Sequence, residues 1–140
     1  GDPGYVAAEA HGLIAAPGDQ STGIQWYNGS YTTTGATATA LGTGNNNTAT
    51  IVGSQGAGSY AAKLCSDLVL GGYSDWFLPS KDELNKLYIN RVAIGGFAND
   101  NYWSSSEAGL NGAWKQNFST GMQGSLDKNT DYYVRSVRAF

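Results

Sequence analysis

Few residues in this sequence are equipped for covalent chemistry. There is one histidine, His11, and one cysteine, Cys65. An internal disulfide needs two cysteines, and a zinc site needs more nitrogen or sulfur ligands than this pair supplies. Catalysis by a side-chain nucleophile needs a base and an orienting group within reach of it. Ser104, Ser105 and Ser106 have no histidine near them in sequence and no Gly-x-Ser-x-Gly elbow around them. They read as a turn whose hydroxyls bond their own backbone. His11 stands beside Gly12 between two short apolar runs and reads as part of a hairpin or bend. No phosphate loop or dinucleotide fingerprint occurs. A hydrolase would have to run on His11 or Ser105; the pattern instead predicts a domain that binds without turnover.

Residues suited to binding are more plentiful. Segments 99–101 (NDN) and 127–131 (DKNTD) place carboxylate and amide oxygens in loops, a donor set calcium accepts. Asx turns account for both without an ion, so no cofactor is expected. In residues 113–118 (AWKQNF), alternation sets Trp114, Gln116 and Phe118 on one side of a strand and Lys115 and Asn117 on the other. Lys115, Asn117, Asn111 and Lys128, the last in the following loop, form a candidate ligand surface. The plainer reading of these four is an ordinary solvated face. Arg91 either joins them or caps the end of its helix.

The elements that must position these residues hang on the stretch 71–91 (GGYSDWFLPSKDELNKLYINR). Gly71 and Gly72 stop what precedes it. Trp76, Phe77 and Leu78 form a short apolar run with Trp76 buried, and Pro79 ends it. Ser80 and Glu83 then make a capping box, each side chain reaching the other's backbone amide. Asp82 and Glu83 suit the positive end of the helix dipole, and Leu84, Leu87 and Tyr88 share one face. A helix from Ser80 to about Tyr88 is predicted. A second, capped by Ser59, carries Tyr60, Ala61, Leu64, Cys65 and Leu68 at helical spacing. Cys65 there reads as a small buried apolar residue rather than a reactive thiol. Residues 47–52 form a further short helical candidate.

Residues 28–47 have the composition of a flexible, Thr-rich surface excursion, with a ligand loop as the alternative. Residues 24–27 read as a short strand or an aromatic anchor. Tyr102 and Trp103 form a strand entering the serine turn, and residues 119–131 read as turns. Residues 132–140 (YYVRSVRAF) are the strongest strand candidate. An arginine lies on each face of it, Arg135 and Arg138, so at least one must meet a carboxylate; Glu83, Asp82 and Asp75 are the expected partners.

The whole sequence bounds the partners. At 140 residues it is long enough for a single domain with its own core. Charged residues make up only 14%, glycines number 20 and aromatics reach 12%, a composition typical of secreted and cell-surface domains. A net charge of −3 offers no basic face for nucleic acid. No apolar run is long enough to insert in a membrane. Residues 1–4 (GDPG) read as one collagen-type triplet and the start of another, or as a turn.

Taken together, GGYSDWFLPSKDEL, YWSSSE, AWKQNF and VRSVRAF resemble the bacterial Lcl C-terminal domain family, from about His11 to Phe140. The resemblance implies an α+β, C-type-lectin-like fold. Two helices would pack on a small antiparallel sheet that brings the termini together, and long loops would carry the ligand surface. It also implies an extracellular head on the bacterial surface that binds sulfated glycosaminoglycans, works as a homotrimer beneath a collagen-like stalk, and serves host attachment and biofilm. Residues 1–4 would then be the end of that stalk. An acidic domain binds a polyanion only where its cations are gathered, because exposed charges are screened beyond about 10 Å. Trimerisation would multiply a modest patch through avidity. The alternative is a trimerising cap, or a head for a protein receptor, without sugar specificity.

Overall fold

The computed structural model of the chain describes residues 12–140. The expectations placed on residues 1–4 and on His11 fall outside the described residues. The architecture is α+β, with seven strands and four helices among the described residues. It has two more helices than the resemblance implies.

Sequence signals and structure agree best at the capping box. Ser80 precedes helix α3 (Lys81–Ile89), accepting from the Glu83 amide while the Glu83 carboxylate accepts from the Ser80 amide at 2.8 Å. Both side chains are buried and bind outward as well: Ser80 donates to the carbonyl of Ala40, and Glu83 accepts from the Gly42 amide. The cap thus fastens a loop as well as starting a helix.

Helix α1 (Gly44–Gln55) is twice as long as the apolar residues of its segment suggest, because its buried face is largely polar: Gly44, Asn47, Thr48, Ile51 and Gln55. Asn47 donates to the Ala38 carbonyl, Thr48 accepts from the Leu78 amide, and Gln55 accepts from the Asn28 amide. Gly44 allows the closest approach; a Cβ there would stand 2.9 Å from the Leu78 carbonyl oxygen and closer still to the Glu83 carboxylate. Helix α2 (Ala61–Ser66) begins after Tyr60 rather than Ser59, with no side-chain cap, and stops short of Leu68. Its Cys65 is fully buried, receives the Ser136 hydroxyl, and has its thiol pushed up to about 12 by burial. Helix α4 (Arg91–Ile94) follows α3 after a single residue.

Strands β2 (Ser21–Ile24), β6 (Tyr132–Val134), β3 (Asn101–Glu107), β4 (Gly112–Asn117) and β5 (Gln123–Asp127) form one sheet in that order. It is mixed, not antiparallel throughout, since β3 and β6 run parallel. Strands β1 (Leu13–Ala15) and β7 (Val137–Ala139) form a separate antiparallel ribbon, so Gly12 and Phe140 exchange backbone hydrogen bonds.

Three expectations change here. The serine run is not a turn: Ser104–Ser106 lie inside β3 and are fully buried, with Ser104 donating to the Trp114 carbonyl and Ser106 to that of Ala38. Residues 123–127 of the turn-rich stretch form β5. Residues 132–140 are not one strand. Arg135 and Ser136 interrupt them because the buried Arg135 guanidinium turns aside to bind Asp19 at 2.9 Å and the carbonyls of Ala16, Gly95 and Gly96, over the Phe97 ring.

Two cores flank the sheet. One gathers Trp26, Ile51, Tyr60, Cys65, Leu78 and Trp103; the other Phe77, Leu84, Leu87, Tyr102, Phe118 and Val137. The indole N–H groups of Trp26, Trp103 and Trp76 donate to the carbonyls of Ser104, Ile24 and Tyr73, so the large apolar bodies are buried without an orphaned donor.

Candidate functional site

Of the eight basic side chains, four are tied to carboxylates among the described residues. Arg138 binds Asp75, one of its expected partners, at 2.8 Å over the Tyr73 ring; Arg135 binds Asp19, which was not among them. Lys63 binds Asp67. Lys128 is the main correction to the candidate surface. It is fully buried, 2.7 Å from Glu107, donates also to the Thr32 carbonyl, and lies over the Trp26 ring. A lysine so enclosed cannot meet a ligand. Burial by itself would raise the Glu107 carboxyl, but Lys128 and the amides of Thr34 and Gly35 outweigh it and hold the carboxyl below its ordinary range. The pair pins the loop of residues 28–43, which is therefore a fastened segment and not a flexible excursion.

The other polar candidates scatter. Asn111 is exposed in the β3–β4 turn. Asn117 spends its carbonyl on the amides of Ser119 and Thr120. Lys115 is half-buried and donates to Asn101. Its face of β4 is opposite that of Trp114. Arg91 donates to the Tyr88 carbonyl at the end of α3 and stacks on the Tyr88 ring at 4.1 Å, as the capping alternative requires. In the two oxygen-rich loops, Asp100 accepts from the Asn101 amide, and Asp127 accepts from Tyr31 and from the Asn129 amide. Among the described residues no three His, Cys, Asp or Glu side chains converge to hold a metal ion, and no helix is long and apolar enough to cross a membrane.

A different constellation does converge. Lys81, Asn85, Tyr88 and Arg91 stand along one side of α3 and its extension, at spacings of three and four. Facing them is one face of the β4–β5 hairpin, with Trp114, Gln116, Gly121 and Gln123. Trp114 lies across from Ser125, and Gln116 across from Gln123. The Lys81 ammonium sits 4.1 Å over the half-buried Trp114 ring. Between the two cation–aromatic stacks runs a row of amides. Fully buried Gln116 donates to Asn85 at 2.9 Å and to the Gly121 carbonyl; Gln123 donates to the Lys81 carbonyl at 2.8 Å. Gly121 is obligatory: its φ is +83°, and a Cβ would come within 2.6 Å of the Tyr88 ring. Lys81 opens α3 and Arg91 lies just beyond its end, so the two cations bracket the seam. Neither forms an ion pair among the described residues. Trp114 and Arg91 were singled out in the sequence, but Lys81 and Asn85 were not, and Gln123, inside a stretch that reads as turns, gave no signal.

Fold and seam together define a small α+β domain with long, fastened loops and a polar–aromatic surface track. The profile of the Lcl C-terminal domain matches residues 17–138, and the chain belongs to that family. No curated protein matches the chain.

Proposed function

We propose that this chain is a non-catalytic recognition head of a collagen-like bacterial surface adhesin, lectin-like in fold, and that it holds sulfated glycans along the seam between α3 and the β4–β5 hairpin. Family membership supports the adhesin setting. The observation that carries the reading is the pair of stacked cations, Lys81 on Trp114 and Arg91 on Tyr88, bracketing a row of amides. Four basic side chains are held in internal ion pairs among the described residues; of the other four, Lys81 and Arg91 lie on this seam. Neither metal nor cofactor enters the reading.

Charge-assisted hydrogen bonds contribute about 1.5–3 kcal/mol each. Lys81→Ala with Arg91→Ala is expected to weaken heparin binding by at least about tenfold and to shift elution from a heparin column to lower salt. Flow-through of the unaltered protein at low salt would sink the reading.

One observation favours a second reading, a trimerising or protein-docking cap. A groove of about 920 Å³ opens where the β1–β7 ribbon meets α3 and α4, lined by Leu41, Phe77, Leu87, Ile94 and Phe140; Leu41 and Phe140 are each more than half exposed. Light scattering on the protein and on Leu41→Ser separates the two: a trimer that the variant dissociates assigns the groove to copies of this chain.

A further inference from the structure

The seam occupies only one side of α3. Lys81, Asn85 and Tyr88 face the β4–β5 hairpin. Glu83, Lys86, Leu87 and Asn90, also three and four residues apart, face the other way. There they line the groove of about 920 Å³ where the β1–β7 ribbon meets α3 and α4. Its floor, Phe77 and Leu87, is buried, while Leu41, Ile94 and Phe140 stand exposed along its rim. Large apolar side chains left open to water around one concavity mark a place for an apolar ligand.

Among the described residues, two charged side chains line this groove. Glu83 is buried, and its two carboxylate oxygens accept from the amides of Ser80 and Gly42, so it presents nothing to a ligand. Lys86 is exposed and forms no ion pair among the described residues, not even with Asp82 one turn earlier. The Phe140 carbonyl is held by the Gly12 amide within the ribbon. What remains is an apolar trough with one ammonium at its edge, of a volume within the range of small-molecule sites, about 300–1,000 Å³. A copy of this chain would have to bring a convex apolar element with an anion beside it; an unbranched chain with an anionic head meets both demands by itself. We infer that the groove binds an anionic amphiphile, a long-chain carboxylate, with its tail along Phe77 and Leu87 and its head on Lys86. The site lies across α3 from the seam, so it neither competes with a glycan there nor rests on the glycan reading.

The test is calorimetric titration of sodium octanoate, decanoate and dodecanoate, and of dodecylammonium chloride, each below its micelle concentration, into the protein and into Lys86→Glu and Ile94→Ser. With a tail half covered by the trough, each two added carbons are expected to tighten carboxylate binding about fourfold. Dodecanoate should bind about tenfold more tightly than dodecylammonium. Lys86→Glu removes that preference and keeps the length dependence. Ile94→Ser weakens every alkyl ligand several-fold and leaves retention on heparin unchanged, which separates failure of this site from failure of the seam. Absence of binding, equal binding of the two head groups, affinity independent of chain length, or a preference kept in Lys86→Glu overturns the inference. A trimer by light scattering that excludes dodecanoate gives the groove to copies of this chain and overturns it as well.

Discussion

Lys128 shows how a residue's type can mislead about its place. Its sequence neighbours are Asp127, Asn129 and Thr130, the composition of an exposed turn, and nothing local marks it as buried. Its partners come from far along the chain, Glu107 in β3 and the Thr32 carbonyl in the long loop. A buried pair is costly to break on one side, because the remaining charge has no water to return to. Lys128→Met is expected to lose about 3–5 kcal/mol in urea unfolding, and the double variant with Glu107→Gln to recover some of that. The same carboxylate sets an acid limit. Its folded value lies below the ordinary 4.5, so its contribution is complete above that pH and is lost as pH falls through the folded value. The melting temperature should fall as acid is added below about pH 4.5, and Glu107→Gln should flatten some of that slope. The sequence showed that at least one of Arg135 and Arg138 needs a carboxylate, and the structure pairs both. Asp75 could be named from sequence, but Asp19 could not, because only the break between β6 and β7 brings it to Arg135.

Among the elements, those that follow a local rule were legible and those made by tertiary contact were not. Helix α3 was readable because a capping box and an apolar stripe are both short-range signals. Helix α1 was only half readable, since asparagine, threonine and glutamine fill its buried positions and leave no apolar period. Strand β5, with Gln123, Gly124 and Ser125 at its start, exists because β4 pairs with it and has little intrinsic preference for extension. Caps are the place to test this division. Removing an N-cap hydroxyl typically costs about 1 kcal/mol, but Ser80 is buried and also holds the Ala40 carbonyl. Ser80→Ala should therefore cost about 2 kcal/mol and speed hydrogen exchange in residues 39–43 as well as in α3. Retained protection in the loop would mean that Glu83 alone fastens it.

At the scale of the molecule, the chain belongs to the Lcl C-terminal domain family, a membership readable from the combination of short motifs though from none of them singly. The candidate site was less readable, because the seam joins a helix face to a hairpin about thirty residues later, and only two of its residues, Trp114 and Arg91, stand out in the sequence. The last segment has an outsized share in closing the fold: β6 lies between β2 and β3, and β7 bonds both β1 and Phe77. Deleting residues 137–140 removes Val137 from the second core and leaves β1 without a partner. The shortened chain is expected to lose its cooperative thermal transition by calorimetry, whereas an intact transition would show that the five-stranded sheet stands alone.

The ribbon of β1 and β7 also has a mechanical consequence. Tension that draws Gly12 and Phe140 apart loads that pair first, at the open end of two antiparallel strands. The rungs then break in succession, as in a zipper, instead of sharing the load as they would if sheared. A domain pulled from that side should yield at the ribbon at low force, while the packed sheet and the ligand track beyond it stay whole.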